Sequence, residues 1–230
     1  MQRVRTKICG IGTIGDLTAA VDAGADAIGL IVGTTHVTED ELSIAAAAEL
    51  AAATPPYIAR VLVTHRQSSD EILDLAEAVG VDTVQVHGDI SADTMRQIWR
   101  RRHPLRIIRT FHVTGDDAVA AAREAAPFSH AVLLDMRTPS RLGGTGLTHD
   151  WHISRRIAET LRQSGHRVIL AGGLNKTNVA TAIQVVRPYG VDANSRLKDA
   201  NGRKDAVACA AFIDAATSAT TAPIPLGVVH

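Results

Sequence analysis

The stretch Val4-Arg5-Thr6-Lys7-Ile8-Cys9-Gly10 combines a short apolar run with a glycine that stops it, which predicts a strand followed by a loop. A helical segment, Thr13–Ala23, comes next. This strand–helix unit recurs along the chain at a spacing of about 25–30 residues. The predicted strands are Val4–Cys9, Ala27–Val32, Tyr57–Val63, Thr83–His87, Leu105–Thr110, Ala131–Asp135, Val168–Ala171 and Gly190–Ala193. The predicted helices are Thr13–Ala23, Thr38–Ala53, Ser68–Val79, Ser91–Arg102, Asp116–Ala125, Asp150–Ser164, Asn175–Arg187 and Lys204–Ala216.

Eight units without a break in rhythm indicate an α/β protein of the (β/α)8 (TIM) barrel class, since such barrels typically have about 250 residues and this chain has 230. We expect one domain over residues 1–216 and an extended or disordered tail over residues 217–230. An open doubly wound sheet is the alternative, but the glycine fingerprint expected after its first strand is too weak in Cys9-Gly10-Ile11-Gly12.

The amino-acid composition argues against a nucleic-acid or membrane partner. Lys+Arg and Asp+Glu balance at 24 each, and aromatic residues are only 3%, so neither bulk charge nor stacking surfaces favour a nucleic-acid partner. No apolar run reaches the about 20 residues that a membrane span needs. The first residues lack the apolar core of a signal peptide, and two distant cysteines make no disulfide framework. We therefore expect a cytoplasmic protein without a membrane partner.

The ends of the predicted strands carry the candidate chemistry, because active sites of barrels lie at the C-terminal face. Cys9 offers a thiol and Asp135 a carboxylate, which together would make an acid/base pair. A thiol base must ionise, so we expect nearby positive charge to lower its pKa. The other interpretations are a buried, inert thiol for Cys9 and a structural hydrogen-bond acceptor for Asp135.

Two further loops contain candidate binding residues. Gly172 and Gly173 follow the seventh predicted strand, and Asn194-Ser195 follow the eighth, where barrels commonly bind phosphate; a tight turn is the alternative for the glycine pair. Gln85 and His87 lie two residues apart and point to the same side of their strand. His87 therefore either binds substrate or hydrogen-bonds the barrel rim.

Several motifs together resemble the phosphoribosylanthranilate isomerase family of tryptophan biosynthesis. They run in order from about Val4 to Phe212. The motifs are Lys7-Ile8-Cys9-Gly10, Gly24-Ala25-Asp26-Ala27-Ile28-Gly29, Gln85-Val86-His87-Gly88, Leu133-Leu134-Asp135, Gly143-Gly144-Thr145-Gly146 with Asp150-Trp151, Ala171-Gly172-Gly173-Leu174 with Asn178-Val179, and Arg187-Pro188-Tyr189-Gly190-Val191-Asp192.

The resemblance implies an Amadori rearrangement of a phosphoribosyl amine, an aldose–ketose isomerisation that needs no metal or organic cofactor. Asp135 would protonate the ring oxygen as the furanose opens, and Cys9 would remove the C2′ proton. A small phosphorylated sugar is the expected substrate, and the protein is expected as a monomer or homodimer. Substrate contacts are predicted for Lys7, Gln85, His87, Arg109, Gly144 and Arg196, and phosphate contacts for Gly172, Gly173, Asn194 and Ser195.

Three departures from the family pattern concern the substrate rather than the catalytic pair. The segment Gly33–Val37 lacks the family's arginine for the anthranilate carboxylate, a role that Arg196 or Arg141 would have to fill. Asn194-Ser195-Arg196-Leu197-Lys198 stands where Ser-Ser-Gly-Val-Glu is usual, and Thr64-His65 where Val-Asn is usual. The alternatives are a divergent enzyme for a related phosphosugar amine in another pathway and a barrel that only binds a phosphosugar.

Overall fold

The strands close into a single parallel barrel. The structure, a computed structural model, describes residues 3–35, 38–88, 90–113, 118–135 and 151–219. The strands are β1 Arg5–Cys9, β2 Ala27–Ile31, β3 Ala59–Thr64, β4 Thr83–Val86, β5 Arg106–His112, β6 Ala131–Asp135, β7 Arg167–Leu170 and β8 Gly190–Ala193. Each pairs with the next, and β8 pairs with β1. This confirms the (β/α)8 barrel predicted from the sequence.

Helices follow the strands and cover the outside of the barrel. They are α1 Ile14–Asp22, α2 Ile44–Ala53, α3 Ser69–Val79, α4 Ala92–Arg101, α5 Ala118–Ala125, α6 Trp151–Gln163, α7 Val179–Val186 and α8 Ala206–Ser218, with a short 3-10 turn over Ser195–Leu197. In the described part of the chain, none of the helices combines the length and the apolar character that a membrane span requires.

The two-residue alternation of the strands decides which side chains enter the barrel. On β3, Val61 and Val63 face the interior, while Leu62 packs in the layer between barrel and helices. On β6, Leu133 faces inward and Leu134 faces the helices. The same alternation continues to the strand ends, so it determines which terminal residues reach the mouth of the barrel.

Two helices begin later than the sequence predicted, because local side chains cap them further along. α2 begins at Ile44 rather than Thr38, since the Ser43 side chain accepts the Ala46 N–H at 3.2 Å. α7 begins at Val179 rather than Asn175, because the Asn178 side chain accepts the Asn175 N–H at 2.9 Å and holds a turn there. Both differences lengthen the loops at the C-terminal face of the barrel.

Candidate active site

A cavity of about 280 Å³ opens at the C-terminal ends of the strands. It brings together most of the side chains and glycines that the sequence singled out. The predicted residues lining it are Cys9, Gln85, His87, Asp135, Gly172, Gly173, Asn194, Ser195 and Arg196. The cavity therefore joins the thiol, the carboxylate and both predicted phosphate loops in one space.

Cys9 ends β1 and projects into the barrel, where it packs with Val61, Val63 and other interior residues. It pairs in register with Gly29 on β2. A Cβ atom at position 29 would lie 2.7 Å from the Cys9 Sγ, closer than side chains tolerate. The glycine thus leaves the space that the thiol occupies, and the side chain remains only 7% exposed.

The pKa of Cys9 is raised, contrary to the expectation from the sequence. Burial raises the pKa of the thiol above its ordinary value; the Lys7 ammonium lowers it, the Asp192 carboxylate raises it, and the Lys204 ammonium lowers it. The two cations are present, but they do not offset the loss of hydration. The resting thiol is therefore protonated at neutral pH.

This raised pKa predicts slow, pH-dependent alkylation of Cys9. Only the thiolate reacts, so below its pKa the rate with iodoacetamide is expected to rise about tenfold per pH unit between pH 7 and 8.5. Mass spectrometry of the intact protein measures the rate, and the Cys9→Ala variant reports any contribution of Cys209. Fast alkylation at pH 7 that does not depend on pH would show that the pKa lies below 7.

Lys7 lies one layer beneath the cavity rather than on its wall, which corrects its prediction as a substrate contact. It sits two residues before Cys9 on the same inward face of β1, and its Nζ donates to the Asp192 Oδ2 at 2.8 Å. Both side chains are buried, at 5% and 7% exposure. Burial alone would lower the pKa of Lys7, but Asp192 and Cys9 raise it above its ordinary value. Lys7 thus keeps a fixed positive charge below the thiol.

Asp135 is the last residue of β6 and follows the inward-facing Leu133 by two positions, so it reaches the cavity. Its Oδ2 lies 3.7 Å from the His87 Nε2, a contact that becomes an ion pair when the imidazole is protonated. Gln85 lies on the same face as His87, as predicted, and its amide donates to the Thr110 hydroxyl at 3.3 Å. The carboxylate, imidazole and amide therefore share one wall.

Arg109 does not reach the site, so its prediction as a substrate contact is wrong. On β5, Ile108 faces the barrel interior, and alternation turns Arg109 outward between the helices. There its guanidinium donates to the carbonyl oxygens of Ala125, at 3.2 Å, and Ile90, at 3.1 Å. Burial lowers the pKa of Arg109. Arg109 thus links the segment just before α4, at Ile90, to the C-terminal end of α5, at Ala125.

We expect Arg109→Met to reduce stability without altering substrate binding. Loss of hydrogen bonds from a charged donor to two carbonyl groups is expected to cost about 1–3 kcal/mol of unfolding free energy. Urea unfolding measures that cost, and steady-state kinetics below the unfolding range should give a KM within twofold of the wild type. A tenfold higher KM in a folded variant would show that Arg109 does contribute to substrate binding.

The remaining wall of the cavity consists largely of backbone. Gly172 and Gly173 have φ angles of +95° and +66°, the left-handed region that favours glycine. Ser195 and the exposed Arg196 open the 3-10 turn on the same wall. Asn194 also lines the wall, but its amide donates to the Asp40 carboxylate at 3.0 Å and accepts from the Lys204 Nζ at 2.7 Å. The Asn194 side chain therefore links the loop after β8 to Asp40 in the loop after β2 and to Lys204 before α8.

Gly144, predicted as a substrate contact, lies outside the described residues, as does Arg141.

Comparisons with known proteins decide the family. The family model described as "N-(5'phosphoribosyl)anthranilate (PRA) isomerase" matches residues 6–215. The chain belongs to this family. It is 41% identical to N-(5'-phosphoribosyl)anthranilate isomerase 2 of Methanosarcina mazei over 91% of this chain and 92% of that protein. It is 42% identical to the isomerase of Natronomonas pharaonis, over 92% of this chain and 97% of that protein. The resemblance stated from the sequence is thereby confirmed.

Solved structures of the same family have the same fold. Phosphoribosyl anthranilate isomerase from Thermotoga maritima superposes with a TM-score of 0.81 at 33% identity, covering 93% of this chain and 98% of that one. Another structure of the isomerase contains reduced 1-(o-carboxyphenylamino)-1-deoxyribulose 5-phosphate and matches with a TM-score of 0.77 at 31% identity. It covers 93% of this chain and 98% of that chain.

Lys198, one of the residues that depart from the family pattern, joins the loop after β8 to the loop after β2. Lys198, which replaces an acid after β8, places its Nζ 2.7 Å from the Glu39 Oε1 and 2.6 Å from the Asp40 Oδ1. Glu39 and Asp40 belong to the altered loop after β2. The cation at position 198 is therefore neutralised within the protein by a contact between the loops after β8 and β2.

Several residues on the cavity wall were not assigned a catalytic or binding role from the sequence, although some of them lie at predicted strand ends. They are Ile31, Thr34, Thr38, Val63, His65, Leu133, Ala171, Leu174, Asp192, Ala193 and Asp40. Asp192 had a detectable signal, because it lies in β8 two residues after Gly190 and faces inward by alternation. Asp40 had no such signal, because the sequence predicted a helix over Thr38–Ala53, whereas the structure has a loop before α2 begins at Ile44.

Proposed function

We propose that Cys9 and Asp135 are the base and the acid with which this chain isomerises N-(5'-phosphoribosyl)anthranilate. The activity follows from membership of the family: the chain is an aldose–ketose isomerase of tryptophan biosynthesis. One observation carries the assignment of these residues. Cys9 and Asp135 are the last residues of β1 and β6, and both side chains point inward and line the same cavity. β1 and β6 are three strands apart around the barrel, which leaves room for a sugar between them.

Asp135 acts first. Its protonated carboxyl donates to the furanose ring oxygen while the C1′–O bond breaks, and the anilino nitrogen supplies the electron pair that forms the iminium. The neighbouring His87, 3.7 Å away, is placed to hold the carboxyl group in position. General acid catalysis of this kind contributes about 10²–10⁴ in rate.

Cys9 acts second. The resting thiol first releases its own proton to solvent. The resulting thiolate then takes the proton from C2′ of the open-chain iminium, and the electron pair of that C–H bond forms the C1′–C2′ double bond of the enolamine. Tautomerisation of the enolamine yields the ketone. All atoms of the substrate are retained, and no oxidant or reductant is consumed. The fixed charge of Lys7 beneath the thiol stabilises the thiolate at this step.

The phosphate is assigned to the wall formed by Gly172, Gly173 and Ser195. The bare backbone of the glycine pair allows close approach of an anion, and loops after β7 and β8 are the usual phosphate site of this fold. Arg196 on the same wall adds a cation that suits the phosphate or the anthranilate carboxylate. Asn194 supports this wall through Asp40 and Lys204.

The loop after β2 favours one alternative substrate. Gly33, Thr34 and Thr35 include no cation, and Thr34 donates to the Glu41 carboxylate through its N–H at 2.9 Å and its hydroxyl at 2.6 Å. Both donors of Thr34, which lines the cavity, are thus used by Glu41 and are not free to hold a substrate carboxylate. A related phosphosugar amine without that carboxylate is therefore the second candidate.

A panel of phosphoribosyl amines tests the proposal. Purified protein is incubated with N-(5'-phosphoribosyl)anthranilate and with the analogue that lacks the carboxylate, and products are separated by chromatography. We expect turnover of the anthranilate compound and growth rescue of a tryptophan auxotroph that lacks this isomerase. Turnover of the analogue alone would favour the second candidate. Saturable binding without turnover of either compound would indicate a barrel that only binds a phosphosugar.

Three broader assignments belong to the same proposal. A biosynthetic enzyme of this family is expected in the cytoplasm, acting on a small phosphorylated sugar as monomer or homodimer without a nucleic-acid partner. The barrel domain is assigned to residues 1–216, although α8 continues to Ser218. The proposed tail, residues 217–230, lies outside the described residues from position 220 onward.

A further inference from the structure

A cluster of three imidazoles lies beside Asp135, and two of them, His65 and His112, have no role in the proposed isomerisation. The rings of His65 and His87 are perpendicular, with centroids 4.8 Å apart, and those of His87 and His112 lie 5.1 Å apart. The three residues come from the ends of β3, β4 and β5, whose side chains meet at the mouth of the barrel. Imidazole is the commonest side chain that binds transition metals in proteins.

His87, His112 and Asp135 can each offer one ligand atom to a common point. These atoms lie within 4.8 Å of one another, and the His87 Nε2 is 3.7 Å from the Asp135 Oδ2. Ligands of one tetrahedral zinc ion are about 3.4 Å apart, because each lies about 2.0–2.2 Å from the metal. Side-chain movements of about 1 Å would therefore close this set around a cation.

His112 gives an independent indication of a ligand. It is the last residue of β5, in register with Asp135 on β6. Both of its ring nitrogens are buried, and neither has a hydrogen-bond partner within residues 3–35, 38–88, 90–113, 118–135 and 151–219. Buried polar atoms are normally satisfied, since leaving one without a partner costs about 1–3 kcal/mol. A bound cation would satisfy one of these nitrogens.

We propose that His87, His112 and Asp135 form a binding site for a divalent transition-metal cation, with Zn²⁺ as the reference ion. Two imidazoles and one carboxylate suit zinc and its neighbours better than magnesium or calcium, which prefer oxygen ligands alone. His87 and Asp135 also line the cavity, so the cation enters from the mouth and keeps an open position toward it.

The site makes the cation an inhibitor rather than a cofactor. A metal ion on the Asp135 carboxylate excludes the proton that the group must donate, and it occupies the space of the sugar ring. This effect on turnover rests on the proposed function, whereas the binding itself does not. The protein would therefore isomerise its substrate only when the site holds no cation.

Calorimetric titration of the full chain with ZnCl₂, and Co²⁺ absorption in the visible range, test the binding directly. We expect about one ion per chain and at least tenfold weaker binding in His112→Ala. His166→Ala is the matched control, because His166 precedes β7 at the opposite end of the barrel. Cys9→Ala tests the nearby thiol and should retain the metal. Circular dichroism and thermal melting establish that each variant is folded.

Three outcomes would overturn the site: no binding up to millimolar zinc, unchanged affinity in a folded His112→Ala, or loss of binding only in Cys9→Ala. If His112→Ala does not fold, His112→Gln replaces it. An inhibition assay then compares the zinc concentration that halves turnover, which should rise at least tenfold in the His112 variant. Zinc binding without isomerase activity would contradict the proposed function while leaving the site intact.

Discussion

Replacing Cys9 with alanine is expected to lower kcat by about 10²–10⁴-fold with a KM within a few-fold of the wild type. The thiolate is the group that takes the C2′ proton, and alanine offers no base in its place. The cavity wall is otherwise preserved, so the ground-state complex still forms. Steady-state kinetics with N-(5'-phosphoribosyl)anthranilate measures both constants.

Cys209→Ala is the matched control for this variant. Cys209 is fully buried in α8, where burial raises its pKa to about 11, and it does not line the cavity. Its replacement should leave kcat unchanged below the unfolding temperature. If Cys9→Ala retains a kcat within threefold of the wild type, Cys9 is only a packing residue and the base lies elsewhere.

Asp135→Asn is expected to lower kcat by a similar factor, about 10²–10⁴. The amide keeps the shape of the carboxyl group but cannot deliver its proton to the ring oxygen, so the furanose stays closed. Turnover assays measure the loss, and Asp214→Asn, an exposed position on α8, serves as the control. Normal turnover by Asp135→Asn would assign the acid to another group.

The alternation of the strands made much of the site predictable. Cys9, Gln85, His87 and Asp135 all reach the cavity, since each lies at or next to the end of a strand and faces inward by alternation. Applied strictly, the same rule excludes Arg109, because its neighbour Ile108 is the residue that faces inward.

Other features depend on distance in space and were not accessible from the sequence. Lys7 faces inward as alternation requires, but two residues of strand, about 6.6 Å, place it a layer below the cavity. The pKa of Cys9 reflects a balance between burial and three charges that only the folded chain brings together. Lys198 and Asp40 are far apart along the chain, so their ion pair could not be seen in either loop alone.

Release of deuterium from C2′ tests the central claim most directly, because it follows the proton that Cys9 is assigned to remove. Substrate labelled at C2′ is incubated with the wild type, Cys9→Ala and Asp135→Asn, and the label is followed by mass spectrometry. With the wild type, we predict rapid loss of the label from C2′, either to solvent or to another carbon of the product. With either variant, this loss should be at least a hundredfold slower. Release by Cys9→Ala at the wild-type rate would contradict the assignment of Cys9 as the base.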